Sequence, residues 1–132
     1  QGSSDGGGYS GGSRAQAAVQ YALSQVGDPY SYSANPPDSW DCSKLTSAAW
    51  AQGGVGLTAL SYTQWDQTRR VPVSEIQPGD LVFFGPEGSI SHMGIYLGGD
   101  QFVHAPHTGD VVKISSLSDS WYASTYVGAK RV

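Results

Sequence analysis

Three side chains of this sequence are equipped to do chemistry together. Cys42 is the only cysteine, and His92 and His104 are two of the three histidines. A thiol, an imidazole that takes its proton and a third group that orients the imidazole make a nucleophilic triad. Cys42 lies in Ser39-Trp40-Asp41-Cys42-Ser43-Lys44-Leu45. Asp41 is a favourable N-cap, Leu45, Ala48 and Ala49 recur at helical spacing, and Gly53-Gly54 closes the run. The pattern predicts a helix from Cys42 to Gln52 with the thiol in its first turn. Amide N–H groups and the helix dipole favour an anion there, so the thiol is expected to ionise more readily than a free cysteine. The competing interpretation is a small buried cysteine that only packs. The helix-start position and the downstream histidines weigh against it.

A register argument brings the histidines together. His92-Met93-Gly94-Ile95-Tyr96-Leu97 alternates, Gly98-Gly99-Asp100 is a turn, and Gln101 to Ala105 returns. A three-residue loop pairs Leu97 with Gln101 and Gly94 with His104. His92, Gly94, Tyr96, Phe102 and His104 then share one face, with the histidines diagonal neighbours. Gly94 is expected to leave a gap for the cysteine helix. In these roles His92 removes the Cys42 proton and returns it to the leaving amine, His104 holds the His92 ring, and the Cys42 N–H stabilises the oxyanion. Zinc on Cys42, His92 and His104 is disfavoured, because short paired ligand spacings are missing. His107, in Pro106-His107-Thr108-Gly109, reads as an exposed loop residue. Asp41 is either a structural cap or a carboxylate bordering the cleft, with the cap preferred. Tyr30 divides evenly between a cleft wall and simple packing.

These residues need a frame. At 132 residues the chain has the length of one domain with a modest core. Charged residues are only 14%, but aromatics reach 11%, which argues for a folded chain. A net charge of −4 with no basic block argues against nucleic acid and anionic membranes as partners, and no apolar run suits membrane insertion. The start, Gln1-Gly2-Ser3-Ser4, lacks a charged and an apolar leader region, so the chain is expected to be leaderless, processed or excised. Residues 1–13 read as a flexible Gly/Ser-rich linker or tail, with covering of the cleft as its functional alternative. Residues 14–132 read as one domain. Ser13 and Gln16 fit a capping box, and Ala15, Ala18, Val19, Ala22, Leu23 and Val26 give a helix with a small-residue face, stopped by Gly27. Ser61 to about Arg69 reads as a short third helix, and Ser74 to Asp80 as a polar turn. Strands are expected at Leu81–Phe84, His92–Leu97, Gln101–Ala105, Val111–Ile114 and Tyr126–Val132. Helices first and hairpin-linked strands after predict an α+β fold with an antiparallel sheet.

Asp41-Cys42-Ser43, Gln77-Pro78-Gly79-Asp80-Leu81-Val82-Phe83-Phe84, Ser91-His92-Met93-Gly94-Ile95-Tyr96-Leu97-Gly98 and Phe102-Val103-His104-Ala105-Pro106, in this order, resemble the NlpC family of papain-like bacterial cell-wall endopeptidases. The resemblance covers about Arg14 to Val132. It implies a papain-like α+β fold, N-terminal helices packed on an antiparallel sheet, and hydrolysis of peptidoglycan stem peptides at the γ-D-glutamyl–meso-diaminopimelate bond. It implies Cys42 as nucleophile, His92 as base and His104 as third residue, with Tyr30, Asp41, Ser43 and Ser91 at the substrate. No cofactor is implied, and a secreted, cell-wall-associated monomer is expected. Lys44 stands where such proteins usually carry glycine, and Tyr32 and Ser33 where Trp and Gly are common, which bears on substrate choice. The alternatives are a non-hydrolytic stem-peptide-binding module and a thiol acyltransferase or deamidase.

Overall fold

A computed structural model of the chain describes residues 12–58, 64–65, 67–85 and 90–132. Residues 1–11 of the expected tail, residues 61–63 and 66 of the expected third helix, and residues 59, 60 and 86–89 lie outside these. The elements are α1 (Gly12–Ser24), α2 (Cys42–Gln52), β1 (Arg69–Val71), a 3₁₀ turn (Val73–Glu75), β2 (Leu81–Phe84), β3 (His92–Gly98), β4 (Gln101–His104), β5 (Lys113–Ser116), α3 (Ser120–Thr125) and β6 (Tyr126–Arg131). The strands form one antiparallel sheet in the order β1-β6-β2-β3-β4-β5. This is the expected α+β, papain-like arrangement.

Small residues let the two long helices meet closely. Ala15, Ala18 and Ala22 are buried on α1. A Cβ on Gly53, which caps the end of α2, would stand 2.6 Å from the Arg14 carbonyl oxygen. Both helices cover one face of the sheet, where Leu45, Trp50, Leu81, Phe83, Met93, Ile95 and Val103 form the main core. Each large apolar side chain buried there contributes about 1.5–3 kcal/mol. The other face carries a second cluster of Val71, Val82, Phe84, Phe102 and Ala129, joined by Tyr96, Tyr122 and Tyr126. Alternation along β2 and β3 divides the two clusters as period-2 geometry requires.

Several expectations are corrected. α1 begins at Gly12, so Ser13 lies inside the helix and is not its cap. The apposition of Arg14 to Gly53, a tertiary contact, fixes where this end of α1 sits. The expected third helix does not extend to Arg69, because Arg69–Val71 pairs with β6. The expected strand at Val111 starts later: Val112 exchanges hydrogen bonds with Gly27 and Asp28, leaving Lys113–Ser116 to pair with β4. The Ser-rich segment before β6 contains α3, capped by Asp119 through the Trp121 N–H.

Asp80 is not a solvated turn residue. It is fully buried and grips Arg131 through two hydrogen bonds of 2.8 Å, while its Oδ2 also accepts from the Gln77 N–H. This paired fork satisfies both buried charges and ties the turn before β2 to the end of β6.

Candidate active site

The helix that presents Cys42 starts as its sequence dictates. Asp41 has extended backbone angles and its Oδ1 accepts from the Lys44 N–H at 2.7 Å and from the Ser43 hydroxyl at 3.1 Å. Lys44 does not crowd the thiol: its ammonium donates to the Ala34 carbonyl at 2.9 Å, fastening the preceding loop to α2. A residue that sequence reasoning overlooked holds the first turn from behind. Gln64, fully buried, donates to the Ser43 carbonyl at 2.9 Å and the Thr58 carbonyl at 2.7 Å, and accepts from the Thr46 hydroxyl at 2.7 Å. A lone Gln in a polar stretch gives no local signal of this.

Cys42 is half-buried, and the Met93 amide is within hydrogen-bonding reach of its sulfur. That N–H belongs to the peptide joining His92 to Met93, so the thiol lies beside the start of β3. Tyr30 gathers here too. Its backbone bridges to Trp40, and its phenol is raised above the ordinary value by burial and then by the charges of Cys42, Asp41 and Tyr32. Ser43 is buried under Asp41, whereas Ser91 is exposed beside His92.

The hairpin puts the histidines together. Ile95 pairs with Val103 and Tyr96 with Phe102, the expected register. The turn itself is tighter, because Gly98 and not Leu97 pairs with Gln101. Gly99 and Asp100 both have positive φ, 59° and 69°, as a two-residue type I′ turn requires. His92 Nε2 and His104 Nδ1 are 2.6 Å apart. The space over Gly94 is not a gap for α2. A Cβ there would meet Phe102 Cδ2 and the Val103 carbonyl oxygen at 2.8 Å, so the glycine admits β4. The imidazoles project from the sheet face away from α1 and α2, against Phe84, Phe102 and Tyr122. Cys42 comes from the helix side and lies against the Met93 amide at the start of β3, the strand that begins with His92.

Electrostatics correct one expectation. Burial pushes the Cys42 thiol up to about 11, with the Asp41 carboxylate adding to it. The amides of Met93, Ser43 and Cys42 pull the other way and do not prevail. Burial outweighs the helix-start effect because desolvating a thiolate costs more than one turn of amide dipoles returns. Burial also lowers His92 to about 4, helped by His107, and His104 to about 3, helped by His92 and Lys113. All three groups are therefore neutral at pH 7. An open depression of about 660 Å³ borders His92, lined by Ser91, His92, His107, Lys113, Ser115 and Tyr122 among others. Cys42, Tyr30 and Asp41 are not part of its lining. His107 is exposed as expected, with its Nε2 3.5 Å from Asp110. Among the described residues no group of three or more His, Cys, Asp or Glu gathers as a metal site.

Residues 27–131 match the sequence model of the NlpC/P60 family. The chain belongs to the NlpC/P60 family. This is a family of cysteine peptidases. The chain is 40% identical over 114 residues to a probable endopeptidase p60 of Listeria seeligeri, covering 86% of this chain and 21% of that protein. It is 33% identical to the murein DD-endopeptidase MepH of Escherichia coli, over 87% of this chain and 45% of MepH. The crystal structure of the NlpC/p60 domain of the peptidoglycan hydrolase SagA superposes with a TM-score of 0.79 at 32% identity, covering 89% of this chain and 98% of that domain. The chain spans about a fifth of the length of the p60 relatives it matches.

Proposed function

We propose that this domain is a cysteine endopeptidase that hydrolyses peptidoglycan stem peptides at the γ-D-glutamyl–meso-diaminopimelate bond. The observation that carries the reading is the placement of the single cysteine, at a helix start and against the peptide that follows a histidine already bonded to a second histidine. The neutral resting state calls for general-base chemistry rather than a preformed ion pair. His92 accepts the thiol proton as Sγ attacks the scissile carbonyl carbon. The oxyanion that forms is met by backbone N–H groups at the start of α2. His92 passes the proton to the leaving amine nitrogen, the C–N bond breaks, and a thioester remains. Water, deprotonated by His92, then releases the acid and restores the thiol. His104 orients His92. Tyr30 and Asp41, which border the sulfur, bind the amino-terminal part of the stem, with Ser43 bracing the Asp41 carboxylate. Ser91 faces the substrate beside His92.

The family, the peptidoglycan hydrolase SagA and the murein DD-endopeptidase MepH support peptidoglycan as the substrate class. They also support a place of action at the cell wall, where we expect a secreted monomer. Among the described residues no helix is long and apolar enough to cross a membrane. Mass spectrometry of defined stem peptides, wild type beside Cys42→Ala, tests the reading. Release of a fragment beginning at diaminopimelate is expected, and is lost at least ten-thousandfold in the variant, roughly the scale of removing a catalytic nucleophile. Cleavage between two D-residues instead would align the bond with the MepH name. Retention of stems without turnover would make the domain a binding module.

A further inference from the structure

We propose that Ser115 is a positioning residue of this site, fixing the tautomer of His104 and through it that of His92. The inference rests on the reading of His92 as the base. His104 is fully buried, and its Nε2 lies 2.7 Å from the Ser115 hydroxyl oxygen. The Ser115 hydroxyl in turn hydrogen-bonds the Tyr122 phenol. The Tyr122 ring stands edge-on to His104 with centroids 5.3 Å apart, and Phe102 packs on His104 at 4.5 Å. The four polar groups His92, His104, Ser115 and Tyr122 therefore form one chain among aromatic rings.

Proton counting gives that chain a direction. To take a proton from a thiol, neutral His92 must keep Nδ1 bare and carry its hydrogen on Nε2. His92 Nε2 then donates to His104, so His104 Nδ1 must be bare and its own hydrogen must sit on Nε2. That buried N–H needs an acceptor, and Ser115 Oγ is in place as one. Ser115 in turn directs its hydroxyl hydrogen to the Tyr122 oxygen. Without the serine oxygen, His104 is free to move its hydrogen to Nδ1. Two N–H groups would then face each other across the 2.6 Å contact, or His92 would carry its hydrogen on the nitrogen meant to accept one. A histidine in the third position is ambivalent in a way that a carboxylate, which only accepts, is not. Ser115 removes the ambivalence.

The test compares Ser115→Thr, which keeps the oxygen, with Ser115→Val, which has the same shape without it. In histidine-labelled protein at neutral pH, nitrogen chemical shifts distinguish bare from protonated ring positions. The wild type is expected to show bare Nδ1 and protonated Nε2 on both His92 and His104. Ser115→Val is expected to mix the tautomers of His104 and lower kcat roughly tenfold at unchanged KM, the scale of one buried hydrogen bond. Ser115→Thr is expected to restore both. A wild-type spectrum with the hydrogen on His104 Nδ1, or Ser115→Val with wild-type tautomers and kcat, would overturn the proposal. The spectrum needs no substrate. Wild-type protein with the expected tautomers but no action on stem peptides would therefore sink the peptidase reading while leaving the relay supported. If Ser115→Val does not fold, the wild-type spectrum and the Ser115→Thr turnover still decide.

Discussion

Around Cys42 the supporting contacts are polar, and several are short in sequence. Asp41 caps its helix through Lys44 and Ser43, and Gln64 braces the same turn through the Ser43 carbonyl. Around His104 they are aromatic and long-range. Phe102 shares its strand, but Tyr122 comes from α3 and Ser115 from β5. The contrast follows from what each half must hold. A thiol at a helix start needs the helix fixed, which backbone hydrogen bonds do. An imidazole needs its ring plane and its proton fixed, and only neighbours touching the ring can do that. Burial acts on both halves in the same sense, favouring the neutral form of each group.

The largest test of this contrast is thiol reactivity. A thiol raised from 9.0 to about 11 presents about a hundredfold less thiolate at neutral pH than a free cysteine. Alkylation of Cys42 by iodoacetamide is expected to be slow by that factor and to climb only in alkaline solution. Rapid labelling near pH 6 would reveal a preformed thiolate–imidazolium pair and erase the shared neutrality of the halves.

Acid is expected to act on the histidine half. In the unfolded chain His92 and His104 protonate near 6.5, whereas in the fold they resist to about 4 and 3. As pH falls below 6.5 the unfolded state takes up protons that the folded state refuses. Stability is thus complete above that pH and declines until the folded rings protonate. By pH 5 the loss is on the order of 2 kcal/mol per ring. Urea denaturation across pH reads it, and the decline is expected to flatten in a His92→Gln, His104→Gln double variant. Cleavage by the folded fraction persists to about pH 4, where His92 gains its proton. An acid limb centred at 6.5 would contradict this.

The smallest effect is expected at the cysteine half. Gln64→Ala removes hydrogen bonds to the Ser43 and Thr58 carbonyls and from the Thr46 hydroxyl and is expected to cost about 1–3 kcal/mol in denaturation. Activity should fall with it as the first turn of α2 loosens. An unchanged stability curve would mean that the cap alone holds the thiol.

How much of this was legible in the sequence follows the same division. The extent of α2, its Asp41 cap and the Gly94 to His104 register rest on local pattern, and pattern sufficed. The level of the thiol pKa did not, because burial is a property of the assembled core. The two-residue turn at Gly99-Asp100 was misjudged by one residue, since a Gly98-Gly99 pair fits either loop length. β1 escaped notice because Arg69-Arg70-Val71 is short and charged, and becomes a strand only beside β6. Ser115 and Tyr122 sit in a polar segment whose meaning comes from facing His104. Their one sequence trace is period-2 placement: Ser115 lies opposite Phe102, the residue two before His104.

The strand order has a consequence for how the molecule is made. β6, the last strand along the chain, lies between β1 and β2, and Arg131 locks it through Asp80. During synthesis, therefore, β2 lacks a neighbour on one side until Arg131 has left the ribosome. Until then no nascent chain can close the sheet behind the histidines, and ordering of the candidate site must wait for β6.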